Sequence, residues 1–130
     1  MPRIGVVHKA ELRPGQPTPG ILREKAFEAE GILFSRSTVA GAVVSGWHHH
    51  GARDLYGFLI SGRLRLEFGK GGEDAVDLDP GDFFHIPPRV IHRDVNLGKR
   101  RKLLVANMLI GAGPPLVNVD GPPEEEPAFQ

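Results

Sequence analysis

Glycine and proline interrupt this chain so often that long helices are excluded. Seventeen glycines and twelve prolines are spread over 130 residues, and they fall between short apolar runs. Glycine weakens the interior of a helix and proline breaks it, whereas both are common in turns. The pattern therefore predicts short strands joined by turns and a nearly all-β chain.

The clearest strands form a predicted hairpin over residues 54–68. Apolar and polar residues alternate in its second half, which places Leu64, Leu66 and Phe68 on one face, and Ser61-Gly62 supplies the turn. Residues 21–30 contain helix formers without an apolar stripe, so a helix and a strand are equally favoured there. Further strands are predicted at 31–37, 39–48, 75–78, 82–86, 90–95 and 103–110.

The length of the chain fits one domain. We predict an N-terminal arm with strands at 1–30, a barrel at 31–110 and a Pro- and Glu-rich tail at 111–130. Many short antiparallel strands in one small domain favour a closed barrel or a sandwich. Neither the loop at 13–20 nor the tail is expected to carry chemistry.

Composition excludes several functions. Sixteen basic residues balance sixteen acidic ones, which argues against nucleic-acid or membrane binding driven by charge. The absence of cysteine excludes disulfides, thiolate catalysis and iron–sulfur or zinc-finger sites. No apolar stretch approaches the roughly 20 residues that span a bilayer. We therefore expect a cytoplasmic protein with no nucleic-acid or membrane partner.

Five of the six histidines lie in two short segments of the chain, 48–50 and 85–92. Residues two apart on a strand face the same side, so His48 and His50 point together with Cα atoms roughly 6.5 to 7 Å apart. Two imidazoles at that spacing can share one metal ion, and His92 is the predicted third ligand from another strand. His49 faces the opposite side. The alternative is that the H-x-H pair lies on a solvated turn.

The segment around His92 resembles the second motif of the cupin superfamily of small β-barrels, G(x)5P-x-G(x)2H(x)3N. The chain matches it at Gly81, Pro87, His92 and Asn96, and Arg89 replaces the inner glycine. The first cupin motif has the form G(x)5H-x-H(x)3-4E(x)6G.

The H-x-H segment matches the first motif at His48, His50 and Gly62. Ala42 stands where the motif begins with glycine, Asp54 stands in place of the glutamate, and one extra residue precedes Gly62. Together the two motifs span about residues 41–96.

The resemblance implies an all-β, single-domain cupin-type antiparallel β-barrel, a jelly-roll-like double-stranded β-helix. It also implies a homodimer, which the apolar segment 4–7 supports weakly. The resemblance implies Asp54 as a metal ligand only provisionally, because its side chain is one methylene shorter than that of glutamate. The implied metal ligands are His48, His50, His92 and, provisionally, Asp54.

Alternation extends the site along two strands. Asp94 shares a side with His92, and Tyr56 and Phe58 share a side with Asp54. If those sides face the interior, Tyr56, Phe58 and Asp94 line a substrate pocket. The alternative for both aromatic residues is ordinary core filling, because small barrels are packed by large side chains.

Three neutral imidazoles suit a divalent transition metal (Fe, Mn, Ni, Cu or Zn) and leave positions open for a small-molecule ligand. Members of the superfamily include dioxygenases, isomerases and decarboxylases. We expect a metal-dependent enzyme acting on a small oxygen-bearing molecule, most simply a dioxygenase. The alternative is a non-catalytic cupin that binds or senses such a molecule. A barrel without metal is a third reading, against which the three histidines argue.

Overall fold

A computed structural model of the chain, which describes residues 2–125, confirms the all-β architecture. Within these residues no helix has the length and apolar character needed to cross a bilayer. Two short 3-10 turns occur at Lys9–Glu11 and Lys70–Gly72. The strands are β1 (Arg13–Pro14), β2 (Leu22–Ala29), β3 (Ile32–Val39), β4 (His48–His49), β5 (Asp54–Ser61), β6 (Leu64–Phe68), β7 (Asp74–Leu78), β8 (Phe83–Ile86), β9 (His92–Asn96), β10 (Leu103–Ile110) and β11 (Val117–Asn118).

The strands form two antiparallel sheets that make up the barrel. One sheet has the order β1-β2-β3-β10-β5-β8, and the other has the order β11-β4-β9-β6-β7. The predicted hairpin over residues 54–68 is wrong, although both of its strands form. β5 pairs with β10 and β8 in one sheet, whereas β6 pairs with β9 and β7 in the other, so the two strands do not pair with each other. Sequence neighbours are therefore separated, and distant segments such as β4 and β9 become adjacent.

Alternating burial divides the barrel interior into a packed end and a hollow end. Leu59, Leu64 and Leu103 are fully buried at the packed end, where each contributes roughly 1.5–3 kcal/mol by leaving water. Further along β3 and β10 the inward positions become polar, at Ser35 and Asn107. This change from leucine to small polar residues leaves the space that the site occupies.

Residues 22–29 form a strand, which settles the choice left open by their composition. β2 pairs antiparallel with β3 along almost its whole length, with a bulge between Lys25 and Phe27. The pairing satisfies the backbone of this segment and overrides its helix propensity. Ile4 and Val6 are exposed before β1, and the dimer contact through segment 4–7 stays a prediction.

Two predicted boundaries are wrong. Most of the strand predicted at 39–48 does not form. β3 ends at Val39, and the chain turns before the two-residue strand β4 begins at His48. The tail predicted at 111–130 includes β11, which pairs with β4, and a buried Leu116. Residues 126–130 of that predicted tail lie outside the described residues. The part of the tail around β11 therefore belongs to the barrel wall.

Ala42 and Arg89, which replace the glycines of the two motifs, both have left-handed backbones. Their φ angles are 63° and 64°, and no other non-glycine residue between 2 and 125 has a positive φ. A side chain in this region costs energy that glycine avoids.

We expect Arg89→Gly to raise the free energy of unfolding by about 1 kcal/mol, measured by urea denaturation. Arg93→Gly, in a strand of ordinary geometry, should lower it.

Candidate metal centre

Three buried histidines meet at the hollow end of the barrel. His48 in β4 lies directly opposite His92 in β9, and His50 follows β4. Their ring centroids are 4.3 Å apart for His48 and His92, 5.4 Å for His48 and His50, and 5.2 Å for His50 and His92. One ring nitrogen from each lies within 4.8 Å of the other two. The structure thus brings together the three histidines that the sequence predicts.

Backbone carbonyls determine which nitrogen each ring presents. Nδ1 of His48 lies 3.0 Å from the Gly46 carbonyl oxygen, and Nδ1 of His50 lies 3.0 Å from that of Pro115. Nδ1 of His92 lies 2.9 Å from the Val90 carbonyl oxygen. A carbonyl only accepts, so each Nδ1 carries the proton and each Nε2 keeps a lone pair. This is the arrangement of metal-binding histidines, whose second nitrogen is tied to an outer hydrogen bond.

Burial keeps the three imidazoles neutral. Loss of hydration lowers the pKa of His50 to about 3, helped by the neighbouring His92. Burial also lowers the pKa of His48 well below its usual value, with His92, Arg23 and His50 adding to the effect. Burial is also the main reason that the pKa of His92 is lowered. The cluster is therefore a set of electron-pair donors at neutral pH.

Asp94 lies beside the cluster, as the sequence predicts for the pocket. Its Oδ1 is 3.7 Å from Nε2 of His48 and has no hydrogen-bond partner in the described chain. Burial raises the pKa of this carboxyl group. An unpartnered buried carboxyl oxygen is costly, and a bound ion or ligand at this point would satisfy it.

The histidines open into a cavity of about 520 Å³. One part of its wall is apolar, formed by Leu33, Leu55, Leu66, Ile86, Leu109 and Phe84. The Phe84 ring lies against Gly57, where any side chain would have to displace the ring. The cavity has the size and mixed lining of a small-molecule site.

The cupin domain family matches residues 36–107, more than half of the chain and both histidine segments. This chain belongs to the cupin family. No curated protein gives a significant match.

Solved structures with the same fold differ in what they do. Peruvianin-I, a cysteine peptidase from Thevetia peruviana latex, has a TM-score of 0.70 at 18% identity, over 89% of this cupin and 77% of that chain. Oxalate decarboxylase from Bacillus subtilis has a TM-score of 0.69 at 20% identity, over 85% and 30%. KdgF from Halomonas sp. has a TM-score of 0.65 at 21% identity, over 85% and 96%. At these identities the likeness establishes the fold alone.

Asp54 does not lie with the histidine cluster of this cupin. Its Oδ1 is 2.7 Å from Nε2 of His85, and both side chains are partly exposed. Asp54 sits at the start of β5 in the other sheet from β4, and its neighbour Leu55 is the residue that faces the cavity. The provisional ligand is thus placed on the outer face, where its charge keeps its hydration.

We expect Asp54→Ala to leave metal affinity unchanged within about twofold, because the carboxylate is turned toward His85. Isothermal titration with Zn²⁺ measures this affinity. Asp77→Ala, which removes another exposed, paired carboxylate, is the matched control. A tenfold loss of Zn²⁺ affinity in Asp54→Ala, without a similar loss in Asp77→Ala, would show that Asp54 is a metal ligand.

Tyr56 and Phe58 do not line the cavity, which corrects the predicted pocket. Tyr56 is half exposed and stacks on His85 at 4.6 Å, and Phe58 packs against Phe83 at 4.6 Å. Strand β5 instead turns Leu55 and Leu59 inward. Both faces of β5 are apolar, so alternation alone did not say which one the barrel would enclose.

Sequence reasoning missed the part of the site supplied by the two chain ends. Arg23 of β2, residues 14–17 of the predicted loop, and Pro115 and Leu116 of the predicted tail all line the cavity. The charge of Arg23 helps to lower the pKa of all three clustered histidines. No local pattern marks these residues, because long-range strand pairing brings them to the site.

Proposed function

We propose that this cupin is a metal-dependent enzyme in which His48, His50 and His92 hold a divalent transition metal. The observation that carries the proposal is the convergence of three neutral imidazoles, each with Nδ1 tied to a carbonyl and Nε2 free. Nitrogen donors of this kind suit Fe, Mn, Ni, Cu or Zn. A small oxygen-bearing molecule is the proposed substrate, and a dioxygenase-type reaction is the proposed chemistry.

The metal, when bound, would supply Lewis acidity and, if redox-active, electron transfer to a coordinated ligand. The chain supplies the surroundings. The leucine-rich wall of the cavity lowers the local polarity, which strengthens electrostatic interactions inside it. Asp94 Oδ1 is free to accept or return a proton at a ligand held beside His48.

A non-catalytic binding or sensing protein is the second proposal. The observation that favours it is the absence of Asp54 from the histidine cluster, which leaves three neutral ligands without the carboxylate of the family motif. Such a centre would hold a metal-bound small molecule without turnover.

Two measurements separate these proposals. Metal analysis of protein purified without added ion identifies the resident metal. Oxygen uptake is then recorded with a panel of phenols, diketones and amino-acid-derived acids, using His92→Ala as the inactive control. Uptake that requires both metal and His92 supports the enzyme. Tight metal binding without any uptake supports the binding protein, and protein without metal under ion-replete conditions contradicts both.

A further inference from the structure

Arg23 faces the cavity as a cation without a carboxylate partner. No Asp or Glu oxygen of residues 2–125 lies within 4.0 Å of its guanidinium. Its neighbours on the same sheet are paired, since Lys25 meets Glu28 at 3.4 Å and Arg36 meets Glu24 at 2.8 Å. The charge of Asp94, which also lines the cavity, acts on Arg23 from beyond ion-pair distance. A partly buried guanidinium without a direct ion pair is costly, so it needs a reason.

A hydrogen-bond network holds this guanidinium in place. Nη1 of Arg23 donates to Oγ1 of Thr18 at 2.6 Å and to the Gln16 carbonyl at 3.3 Å. The Thr18 hydroxyl in turn donates to Oδ1 of Asn118 at 2.8 Å. Asn118 lies opposite His48 in the β11–β4 pair. Arg23 is thus anchored through Thr18 to β11, the strand that pairs with β4 and its proposed metal ligand. The Nε and Nη2 donors of Arg23 make no hydrogen bond within the described residues.

The charges around the cavity do not balance once a divalent ion is present. Lys25 and Glu28 offset each other, and the clustered histidines are neutral. Arg23 and a divalent metal together outweigh Asp94 whether or not that carboxyl is ionised. The enclosed site therefore favours an anion that contacts both positive centres.

We propose that Arg23 is a substrate-binding residue that takes the carboxylate of a small organic acid whose other oxygen faces the histidine cluster. This inference rests on the proposed metal centre and adds to it the chemical class of the ligand. The planar guanidinium group donates two parallel hydrogen bonds to the two oxygens of a carboxylate. A neutral ligand does not offer two charged acceptor oxygens in this geometry. A cavity of about 520 Å³ suits an acid of this kind.

The test uses glycolate as the probe and glycolamide as its uncharged twin. Both carry the same hydroxyl group, and only glycolate carries a carboxylate. Each is titrated calorimetrically into the full chain loaded with Co²⁺, and the visible spectrum of Co²⁺ reports whether the probe reaches the metal. We expect glycolate to bind at least about tenfold more tightly than glycolamide, the scale of one charge-assisted hydrogen bond.

Variants assign that preference to Arg23. Arg23→Gln should weaken glycolate binding by about tenfold or more and remove the preference over glycolamide, while Co²⁺ stoichiometry stays unchanged. Arg23→Lys should keep part of the preference, because it retains the charge and loses the fork. Arg36→Gln, which removes a nearby paired cation, should behave as wild type.

Wild-type binding without a glycolate preference, or an equal preference in Arg23→Gln, would overturn the inference and leave the metal centre standing. Wild-type protein that binds no Co²⁺ would overturn the proposed function and the inference with it.

Discussion

Alanine in place of His92 should reduce the affinity for a divalent metal by more than the roughly tenfold to hundredfold that loss of an outer-shell group costs. His92 is buried at the centre of the cluster, with its ring 4.3 Å from that of His48 and 5.2 Å from that of His50. Its removal leaves only two of the three clustered imidazoles. His48→Ala and His50→Ala should lose affinity to a similar degree. Isothermal titration with Zn²⁺ and elemental analysis of the purified variants measure the loss.

His49→Ala is the matched control, because His49 lies between two cluster residues in sequence and outside the cluster in space. Its Nδ1 accepts a hydrogen bond from the backbone N–H of Gly51 at 3.0 Å. The variant should keep wild-type metal content. An equal loss in His49→Ala and His92→Ala would mean that the H-x-H segment binds metal as a flexible loop, and the proposed three-histidine centre would then be wrong.

Acid should destabilise the metal-free protein through the same histidines. The pKa of His50 is about 3 in the folded chain and about 6.5 for an unperturbed histidine. The unfolded chain therefore takes up this proton first, and stability is lost as the pH falls from 6.5 toward 3. Between pH 7 and pH 5, His50 alone should account for about 2 kcal/mol of the lost free energy of unfolding. His48 and His92 act in the same direction.

Urea denaturation of chelator-treated protein at both pH values measures this loss, and His50→Asn isolates the contribution of one ring. Asparagine does not titrate, and its amide retains a donor for the Pro115 carbonyl that Nδ1 of His50 now contacts. The raised pKa of Asp94 opposes the histidines, but wild type and variant share it, so it cancels in the comparison. The variant should lose about 2 kcal/mol less than wild type between pH 7 and pH 5. The same loss in both proteins would show that His50 is protonated as readily when folded as when unfolded.

The spacing of the histidines could be read from the sequence because it depends on local geometry. An extended backbone points His48 and His50 to one side and His49 to the other, wherever the strand lies. The motif around His92 supplied the third ring, although the strand leading to His48 proved far shorter than predicted. Both replaced glycines, Ala42 and Arg89, were visible as departures, and the structure gives each of them the left-handed backbone that a glycine would adopt.

The errors in the predicted pocket have a different origin. Tyr56 and Phe58 alternate on one face of β5 as regularly as Leu55 and Leu59 do on the other. Period-two alternation identifies two faces, but the choice between them depends on which sheet the strand joins and what it meets there. Asp54 shares the outward face and therefore meets His85.

From the sequence alone came the all-β class, the family resemblance and the three histidines that cluster, because turn chemistry and strand alternation act within a few residues. The tertiary structure decided which face of β5 is enclosed and which carbonyls orient the rings, and it brought Arg23 into the cavity. Those choices depend on contacts such as Thr18 with Asn118 and His50 with Pro115, which are 100 and 65 residues apart in sequence. Contacts over such separations arise from strand pairing across the whole barrel, and no local pattern of residues encodes them.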